Sequence, residues 1–411
     1  MYKFVQQSNI LLFTSTKKKG DFFLMNKIKI LRIIARLNVG GPAIHTSILS
    51  EQLNNDKFNT LLVAGKVPEN EGDMSYIAEE RGVKVRYLNT LQRELSPIND
   101  LKSILEIDKI IREYQPDIIH THTAKAGFVG RAAVVLNNFL RRKKIKAVHT
   151  FHGHVFDGYF SPIKTKIFLF IERFLGHFTD VIITITNKQQ KEILSLGIGT
   201  PPKHHMIPLG LDLNKFFQNS EKNFLHKKYN IEKDIKLVGI VARFTQIKNL
   251  KLFIDTAKII LNNRNDVHFF MVGDGEDRDM LENYSSQLNL EKNITFTGFL
   301  KDLPSIYSSL DLVLLTSNNE GSPVSIIEAM TNGKSVVSTA VGGVPDLFTD
   351  FGKEFLVDKN DANAMAKASL KLLNNDNLNS RFIQEHQDPT YKKYNYSRLV
   401  NDLTKTYKEL T

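Results

Sequence analysis

The sequence predicts an α/β protein built from two doubly wound, Rossmann-like domains. Its 411 residues exceed what a single hydrophobic core usually serves, so the length favours two domains. Short runs rich in Ile and Val alternate with amphipathic helical patterns, which indicates parallel sheets covered by helices. A polar, Lys-rich stretch at 216–234 interrupts this alternation, which then restarts. We therefore expect a ligand cleft between two domains.

The first domain is predicted over residues 25–212. Its strand patterns lie at 28–35, 60–64, 117–120, 146–151 and 181–186, and its helical patterns at 43–53, 101–114, 124–140 and 162–177. We interpret residues 1–24 as a disordered or misassigned start. There the apolar run 10–13 precedes three lysines, the reverse of a secretory signal, so we expect a cytoplasmic protein.

The second domain is predicted over residues 213–393. Its strand patterns lie at 236–242, 267–272, 294–296, 312–316 and 335–338, and the polar stretch 385–395 is interpreted as a loop. A last helix, 394–411, is expected to pack back on the first domain. In open parallel sheets the loops after the strands line the ligand crevice, so the chemistry is expected there.

Composition and charge exclude several classes of site. The chain has no cysteine, which excludes disulfides, thiolate metal sites and cysteine nucleophiles. A net charge of +11 suits nucleic acid, an anionic membrane surface or phosphorylated ligands. The most apolar run, 167–171, is followed at once by Glu172 and Arg173, so the sequence predicts no membrane span.

A glycine pair follows the first predicted strand. Gly40 and Gly41 stand between this strand and the next helix, where backbone amides can approach a phosphate. A tight strand-to-helix turn explains the pair equally well. The Gly-x-Gly-x-x-Gly spacing of dinucleotide sites is absent from this loop.

Two cations flank the first loop of the second domain. Arg243 ends a predicted strand and Lys248 opens the next helix. A guanidinium fork and a compact ammonium on one loop can hold a diphosphate from two sides. The alternative is a pair of solvated surface side chains, but the position at a strand end favours binding.

Two glutamates bracket a predicted helix start. Glu320 precedes Gly321, and the pair Ser322 and Pro323 predicts a serine cap with proline at the first helical position. Carboxylates accept hydrogen bonds from vicinal sugar hydroxyls, so Glu320 and Glu328 are candidate sugar ligands. The alternatives are a favourable charge at a helix N-terminus and a solvated helix face. The apolar neighbours of Glu328 favour a cleft position.

Histidines gather at the ends of two predicted strands of the first domain. They are His120, His122, His149, His152 and His154. Such clusters occur in metal sites, but no carboxylate completes a ligand shell here, so we expect no metal. We interpret the cluster as a polar rim for sugar and phosphate oxygens.

These loops, in this order, resemble the family 4 glycosyltransferases, the large retaining group with the two-domain GT-B fold. The likeness extends from residue 28 to about 348 and includes the C-terminal helix. Its marks are the spacing of Glu320 and Glu328, the pair Arg243 and Lys248, and the stretch Gly342-Gly343-Val344-Pro345. The phrases at 120–127 and 151–156 are similar to a subgroup associated with bacterial polysaccharide and capsule assembly.

The resemblance implies a role for each residue. Arg243 and Lys248 would hold the donor diphosphate and stabilise the leaving phosphate, and Glu328 would bind the ribose. Glu320 would contact the donor sugar, and His152 the reacting sugar. The further donor contacts implied are Gly40, Gly41, Gly273, Phe299, Leu300, Gly321, Ser322, Pro323 and Val324. The acceptor-side contacts implied are His122, Lys125 and His154.

The resemblance also implies the reaction. Members of this family retain the anomeric configuration without a clear enzymic nucleophile, and the leaving phosphate assists deprotonation of the acceptor. We therefore expect a metal-independent hexosyltransferase with no cofactor. Its donor would be a nucleotide-sugar, UDP being preferred, and its acceptor a glycan or a lipid-linked sugar.

Two other classes stay open on the residues alone. A nucleotide-sugar epimerase on the same fold would use the histidines as acid and base, although the two spaced glutamates argue against it. A non-catalytic module would bind a sugar, or would bind nucleic acid through the basic run 141–144. Because no nucleic-acid motif accompanies that run, we expect no nucleic-acid partner.

The predicted helix 162–177 combines cations with aromatic side chains. The cations are Lys164, Lys166 and Arg173, and the aromatic residues are Phe168, Phe170 and Phe174. Such a helix can lie on the anionic inner leaflet of the plasma membrane and meet a lipid-linked acceptor. A helix packed in the core is the alternative.

Overall fold

Two parallel sheets, each covered by helices, make up the protein. The computed structural model describes residues 27–38, 40–68, 71–92, 96–141, 143–152, 162–217 and 221–411, with the backbone alone for 162–164. These elements confirm the predicted α/β class with two Rossmann-like sheets.

The first sheet lies between residues 28 and 206. Its parallel strands are β1 (Ile28–Arg36), β2 (Phe58–Gly65), β3 (Val85–Leu88), β4 (Ile118–His122), β5 (Lys146–Phe151), β6 (Val181–Thr184) and β7 (His204–Met206), in the order β3-β2-β1-β4-β5-β6-β7. The helices between them are α1 (Gly41–Gln52), α2 (Ser75–Glu80), α3 (Pro97–Tyr114), α4 (Ala124–Leu140), α5 (Pro162–Phe178) and α6 (Asn187–Ser195). The strand order reverses between β1 and β4, so the loops after these two strands open into a crevice.

The second sheet lies between residues 236 and 357. Its strands are β8 (Lys236–Val241), β9 (Val267–Val272), β10 (Ile294–Gly298), β11 (Leu312–Leu315), β12 (Ser335–Thr339) and β13 (Leu356–Val357), in the order β10-β9-β8-β11-β12-β13. Its helices are α7 (Asn214–Phe217), α8 (Phe224–Tyr229), α9 (Leu250–Leu261), α10 (Arg278–Gln287), α11 (Leu303–Ser309), α12 (Val324–Thr331), α13 (Ala362–Leu373) and α14 (Asp376–Tyr394). Here the order reverses between β8 and β11, which places a second crevice at their ends.

The strands are apolar on both faces because helices cover both sides of each sheet. In β1, Leu31 and Ile33 pack with Val129 of α4, while Ile30 on the other face packs with Leu49 of α1. All of these side chains are fully buried. This explains why the strands appear in the sequence as continuous apolar runs rather than as alternating patterns.

The predicted loop at 385–395 is wrong, because α14 continues to Tyr394. Proline removes one backbone donor and normally ends a helix, and Pro389 lies inside this one. The helix persists because Phe382, His386 and Tyr394, with Thr390, are buried at four-residue spacing. Packing against the second domain therefore outweighs the local cost of the proline.

The chain crosses twice between the domains, and the two crossings are hydrogen-bonded to each other. The amide of Leu211 donates to the Tyr394 carbonyl at 2.8 Å, and the amide of Tyr396 donates to the Leu211 carbonyl at 3.0 Å. After this point α15 (Tyr396–Leu410) lies on the first domain, where Leu399, Leu403 and Tyr407 are buried with the strands β1, β4, β5 and β6.

Candidate active site in the interdomain cleft

The two domains touch across the carboxyl ends of their strands. A Cβ atom added to Gly343, which follows β12, would lie 2.7 Å from Cγ2 of Thr186, which follows β6. A Cβ added to Gly41 would lie 4.0 Å from Cγ2 of Val324, at the start of α12. The loops that follow the strands of both sheets therefore face one another across a narrow cleft.

Lys248 and Glu320 form the polar centre of the second domain's side of the cleft. Lys248 ends the short 3₁₀ turn Gln246–Lys248 after β8, and Glu320 lies in the loop after the neighbouring strand β11. Lys248 Nζ and Ser317 Oγ both donate to Oε1 of Glu320, each at 2.6 Å. Because both bonds reach Oε1, Oε2 is the oxygen that a ligand hydroxyl can approach.

Arg243 lies at the rim of the same site. Its guanidinium is 61% exposed and donates at 3.2 Å to Glu276, which is 60% exposed. An ion pair as exposed as this contributes little stability, so the guanidinium can exchange Glu276 for an anionic ligand. Gly273 supports the loop, since a Cβ at Gly273 would overlap the carbonyl oxygen of Ala242. The structure therefore places both predicted cations at the end of β8 but gives them different partners.

The helix start after Glu320 differs from the prediction. Helix α12 begins at Val324 with Pro323 as its N-cap, so Ser322 is not the cap and Pro323 is not the first helical residue. The Ser322 hydroxyl is buried and has no hydrogen-bond partner among the described residues. A buried hydroxyl without a partner is costly, so this group is well suited to meet a polar ligand atom.

Glu328 lies half-buried on α12, one turn beyond the loop. The Tyr307 hydroxyl donates to its Oε2 at 3.2 Å. Burial raises the pKa of Glu328 to about 7, and the nearby Lys215 and the Tyr307 hydrogen bond offset only part of that rise. Glu328 therefore changes charge close to neutral pH.

On the opposite side of the cleft, His152 follows β5 and belongs to a buried cluster. His122 Nδ1 lies 2.9 Å from His152 Nε2, and the ring of His45 on α1 packs edge-on against His152 with centroids 4.8 Å apart. Burial, and secondarily the Arg32 guanidinium, lower the pKa of His152 to about 3. The imidazole is therefore neutral at physiological pH.

The sequence did not single out Arg32, His45 or Tyr407 of this cluster. Arg32 was visible as a charged residue inside an otherwise apolar strand, a placement that normally requires buried partners. His45 and Tyr407 carried no comparable signal, because tertiary packing alone brings α1 and α15 to the ends of β1 and β4.

Comparison with known proteins identifies the family. The model for Glycosyltransferase Family 4 matches residues 39–215, and the model for Glycosyl transferases group 1 matches residues 221–388. The chain belongs to the family 4 glycosyltransferases. The protein is therefore a glycosyltransferase, and the two alternatives left open by the sequence, an epimerase and a non-catalytic binding module, are excluded.

Relatives of this glycosyltransferase cover most of its length. It is 29% identical to the Escherichia coli UDP-Gal:alpha-D-GlcNAc-diphosphoundecaprenol alpha-1,3-galactosyltransferase, over 76% of this chain and 83% of that protein. It is 24% identical to the Staphylococcus aureus capsular polysaccharide biosynthesis glycosyltransferase CapM, over 79% and 85%. The solved structure of Anabaena HepE in complex with UDP superposes with a TM-score of 0.79 at 20% identity, covering 93% of this chain and all of HepE, and confirms the GT-B fold.

The remaining predicted donor residues of this glycosyltransferase lie around the loops already described. The Gly40 amide donates at 3.3 Å to the Met74 sulfur, a weak acceptor that a phosphate oxygen can replace. Gly321 packs directly against Gly343, because a Cβ atom on Gly343 would overlap the carbonyl oxygen of Gly321. Phe299 is exposed after β10, whereas Leu300 packs partly against the second domain's core.

Two of the predicted acceptor-side residues, Lys125 and His122, are buried within the first domain. Lys125 is buried in an ion pair with Asp100 of α3, so its ammonium is committed within the first domain. His122 is fully buried beneath His152 and can act on a ligand only through it. His154 lies outside the described residues.

Proposed function

We propose that this glycosyltransferase moves a sugar, with retention, from a UDP-sugar to a lipid-linked glycan acceptor during assembly of a surface polysaccharide. The observation that carries the proposal is the set of groups after β8 and β11. These groups are the ammonium of Lys248, the exposed guanidinium of Arg243 and the carboxylate of Glu320, and their loops belong to the edge of the second sheet that approaches the first domain.

The donor side supports binding of a nucleoside diphosphate. Arg243 and Lys248 carry the positive charge that a diphosphate requires, and the buried Ser322 hydroxyl can donate to one of its oxygens. Glu328 lies on the helix that follows this loop, and its carboxylate accepts hydrogen bonds from the ribose hydroxyls. The choice of UDP draws on the Escherichia coli relative, whose name specifies UDP-Gal, and on HepE, which was solved with UDP.

In the reaction, the bond between the sugar C1 and the diphosphate oxygen breaks, and a bond forms between C1 and the acceptor oxygen. Arg243 and Lys248 stabilise the charge that develops on the leaving diphosphate, which makes a metal ion unnecessary. The same diphosphate oxygen takes the acceptor proton. Glu320 orients the donor sugar through Oε2 while Lys248 and Ser317 hold Oε1.

An exposed face of α5 supports a membrane-bound acceptor. Phe170 and Phe174 are 72% and 54% exposed, and the cations Lys166 and Arg173 lie on the same helix. Phe168 is instead buried at 7% exposure, so it belongs to the core and not to the apolar face. The side chain of Lys164 lies outside the described residues. Within the part of the chain that the structure describes, no helix is long and apolar enough to cross a membrane.

Liposome flotation tests the membrane part. Wild-type protein should float with vesicles containing anionic lipid and not with neutral ones, because apolar contact and charge both contribute. The variant Phe170→Ser/Phe174→Ser should stay with the soluble fraction, while the matched variant Met280→Ser, which removes an exposed apolar side chain from the second domain, should float. Equal flotation of all three proteins would contradict the docking face.

The donor proposal is tested by titration and transfer. UDP, GDP and ADP are titrated calorimetrically with and without EDTA, and UDP-Gal, UDP-Glc and UDP-GlcNAc are then incubated with a GlcNAc-diphospholipid analogue. We expect binding of UDP alone, unaffected by EDTA, and transfer from one of the three donors. Failure of every nucleotide to bind, or binding that requires a divalent metal, would refute the assignment of the cleft.

A further inference from the structure

A chain of hydrogen bonds runs from the interior of the first domain to the cleft. Arg32, on β1, places Nη1 3.1 Å from Nε2 of His122, the last residue of β4. His122 in turn places Nδ1 2.9 Å from Nε2 of His152. Arg32 and His122 are fully buried, and His152 at the cleft end is only partly buried.

The direction of every bond in this chain follows from Arg32. A guanidinium has donors and no acceptor, so His122 Nε2 must be the acceptor and must carry no proton. The proton of neutral His122 is then on Nδ1, which donates to His152 Nε2. By the same reasoning, the proton of neutral His152 is on Nδ1, the nitrogen that has no partner among the described residues.

We propose that Arg32 and His122 are positioning residues that hold His152 in its Nδ1-protonated form, so that this ring presents a hydrogen-bond donor, and never a base, to the sugar in the cleft. The inference rests on the proposed function for the identity of the ligand, but the proton position is a property of the protein alone. Its chemical requirement is a ligand oxygen, such as a sugar hydroxyl, that accepts the bond.

A second branch holds Arg32 in place. Its Nη1 also donates to His120 Nδ1 at 3.1 Å, and its Nη2 donates at 3.4 Å to the Tyr407 hydroxyl, which lies 2.5 Å from the same Nδ1. Because His120 Nδ1 accepts from Arg32, the proton of neutral His120 is on Nε2, which donates to Thr150 Oγ1 at 2.7 Å. The C-terminal helix is therefore linked to the relay through the Arg32 guanidinium. The pairing of β1 with β4 and of β4 with β5 fixes the distances between Arg32, His120 and Thr150.

The surroundings keep the imidazoles neutral. Among the described residues, the groups that interact electrostatically with His152 are Arg32 and the histidines His45, His120, His122 and His149. Burial lowers the pKa of every histidine in this cluster. A nearby guanidinium lowers it further, that of Arg131 for His149 and that of Arg32 for the others. Protonation would place two positive charges together in a buried site, which is strongly unfavourable.

The same bonds argue against a metal ion at these histidines. His45, His122 and His152 each offer a nitrogen within 4.8 Å of the others, which is suitable spacing for a site. Ligation through His122 Nδ1 would move its proton to Nε2, where it would oppose the Arg32 donor at 3.1 Å. The guanidinium would also add repulsion toward any cation.

Nitrogen NMR of the full chain labelled with ¹⁵N-imidazole histidine tests the proposal without any ligand. His152 is assigned by the signal that is lost in His152→Asn. We expect a protonated Nδ1 and an unprotonated Nε2 for both His122 and His152, constant from pH 6 to 8. A protonated Nε2 on either residue would overturn the proposal, as would thermal stabilisation by Zn²⁺ that is lost in His45→Ala.

Two variants separate positioning from folding. His122→Phe keeps the ring volume and removes the donor to His152, so the His152 signals should become those of a mixture of the two neutral forms. UDP affinity should stay unchanged. The factor by which a UDP-sugar binds more tightly than UDP should fall about tenfold, as expected for the loss of one hydrogen bond of about 1.4 kcal/mol.

The matched variant Tyr407→Phe keeps the hydrogen bond from Arg32 to His122, so the ¹⁵N signals of His152 should stay those of the wild type. An unchanged His152 pattern in His122→Phe would refute the relay. If the protein binds no UDP-sugar but the wild-type pattern is as expected, the proposed function fails and the relay stands.

Discussion

Replacement of Gly343 by alanine tests whether the closed contact between the domains is the working state. Gly343 has φ −91°, so alanine introduces no backbone strain there. Its Cβ would lie 2.7 Å from Cγ2 of Thr186 across the cleft and would overlap the carbonyl oxygen of Gly321 beside Glu320. The substitution therefore acts on the domain contact and on the donor loop by size alone.

The magnitude follows from these contacts. Ordinary van der Waals contact begins at 3.4 Å, whereas the added Cβ would lie 2.7 Å from the Thr186 methyl and 2.1 Å from the Gly321 carbonyl oxygen. The Thr186 contact must therefore open by several tenths of an ångström, and the Gly321 backbone must move by more than an ångström. A misplacement of about 1 Å in an enzyme site costs about 100-fold in rate, so we expect kcat/KM to fall by about 10- to 100-fold. Overpacking costs roughly 1–3 kcal/mol of stability, which would lower Tm by roughly 2–12 °C.

Release of UDP from a UDP-sugar in the presence of acceptor gives the rate, and a companion substitution separates the two clashes. Thr186→Ser removes Cγ2 but keeps the hydroxyl that accepts from the Gln189 amide at 3.1 Å, so this variant alone should match wild type. Combined with Gly343→Ala, it should restore part of the lost rate. An unchanged kcat/KM in Gly343→Ala would show that the contact between these loops is not used in catalysis.

Three further changes have defined outcomes. Lys248→Met should weaken UDP binding about 10- to 100-fold in calorimetry, as expected for loss of a charged hydrogen bond, whereas the exposed neighbour variant Lys251→Met should bind normally. UDP affinity should rise with pH through about 7, because the ionised Glu328 is the form that accepts the ribose hydroxyls, and Glu328→Gln should abolish this dependence. Arg131→Met should lower the free energy of unfolding, measured in urea titrations, by about 3–5 kcal/mol. The reason is that the buried carboxylate of Glu172 loses the guanidinium that donates to both of its oxygens at 2.7 Å. A loss below about 1 kcal/mol would contradict this reasoning.

Most of the fold was predictable from the sequence, because the strands are apolar runs bounded by polar loops. Two of the predicted strands, 146–151 and 267–272, have the observed bounds of β5 and β9. The strands β3, β7 and β13 were missed because they are two to four residues long and mostly not fully buried, so they lack the continuous apolar run that marks the equally short β6 and β11. The extent of α14 was missed because proline weakens a helix locally, while the four buried side chains that stabilise it act through tertiary packing.

The candidate site was predictable where it depends on loops after strands. Arg243, Lys248 and Glu320 could be proposed because parallel strands end at one edge of a sheet. The partners of the two cations could not be predicted. The sequence suggested that both hold one ligand, whereas Lys248 forms an ion pair with Glu320 and Arg243 forms one with Glu276. Lys125 matched a motif phrase, but its side chain lies against Asp100, because the packing of α3 on α4 decides where that ammonium goes.

The sequence by itself determined that there are two parallel sheets, where the polar loops lie along the chain and which family the chain resembles. These properties depend on the order and spacing of residue types, which local physics converts into strands, helices and turns. Only the tertiary structure decided that His152 is linked to Arg32 by hydrogen bonds through His122, and that Tyr407 of α15 is hydrogen-bonded to the same guanidinium. Those contacts join residues up to 375 positions apart, and proton positions along them depend on which atoms meet, which no local pattern encodes.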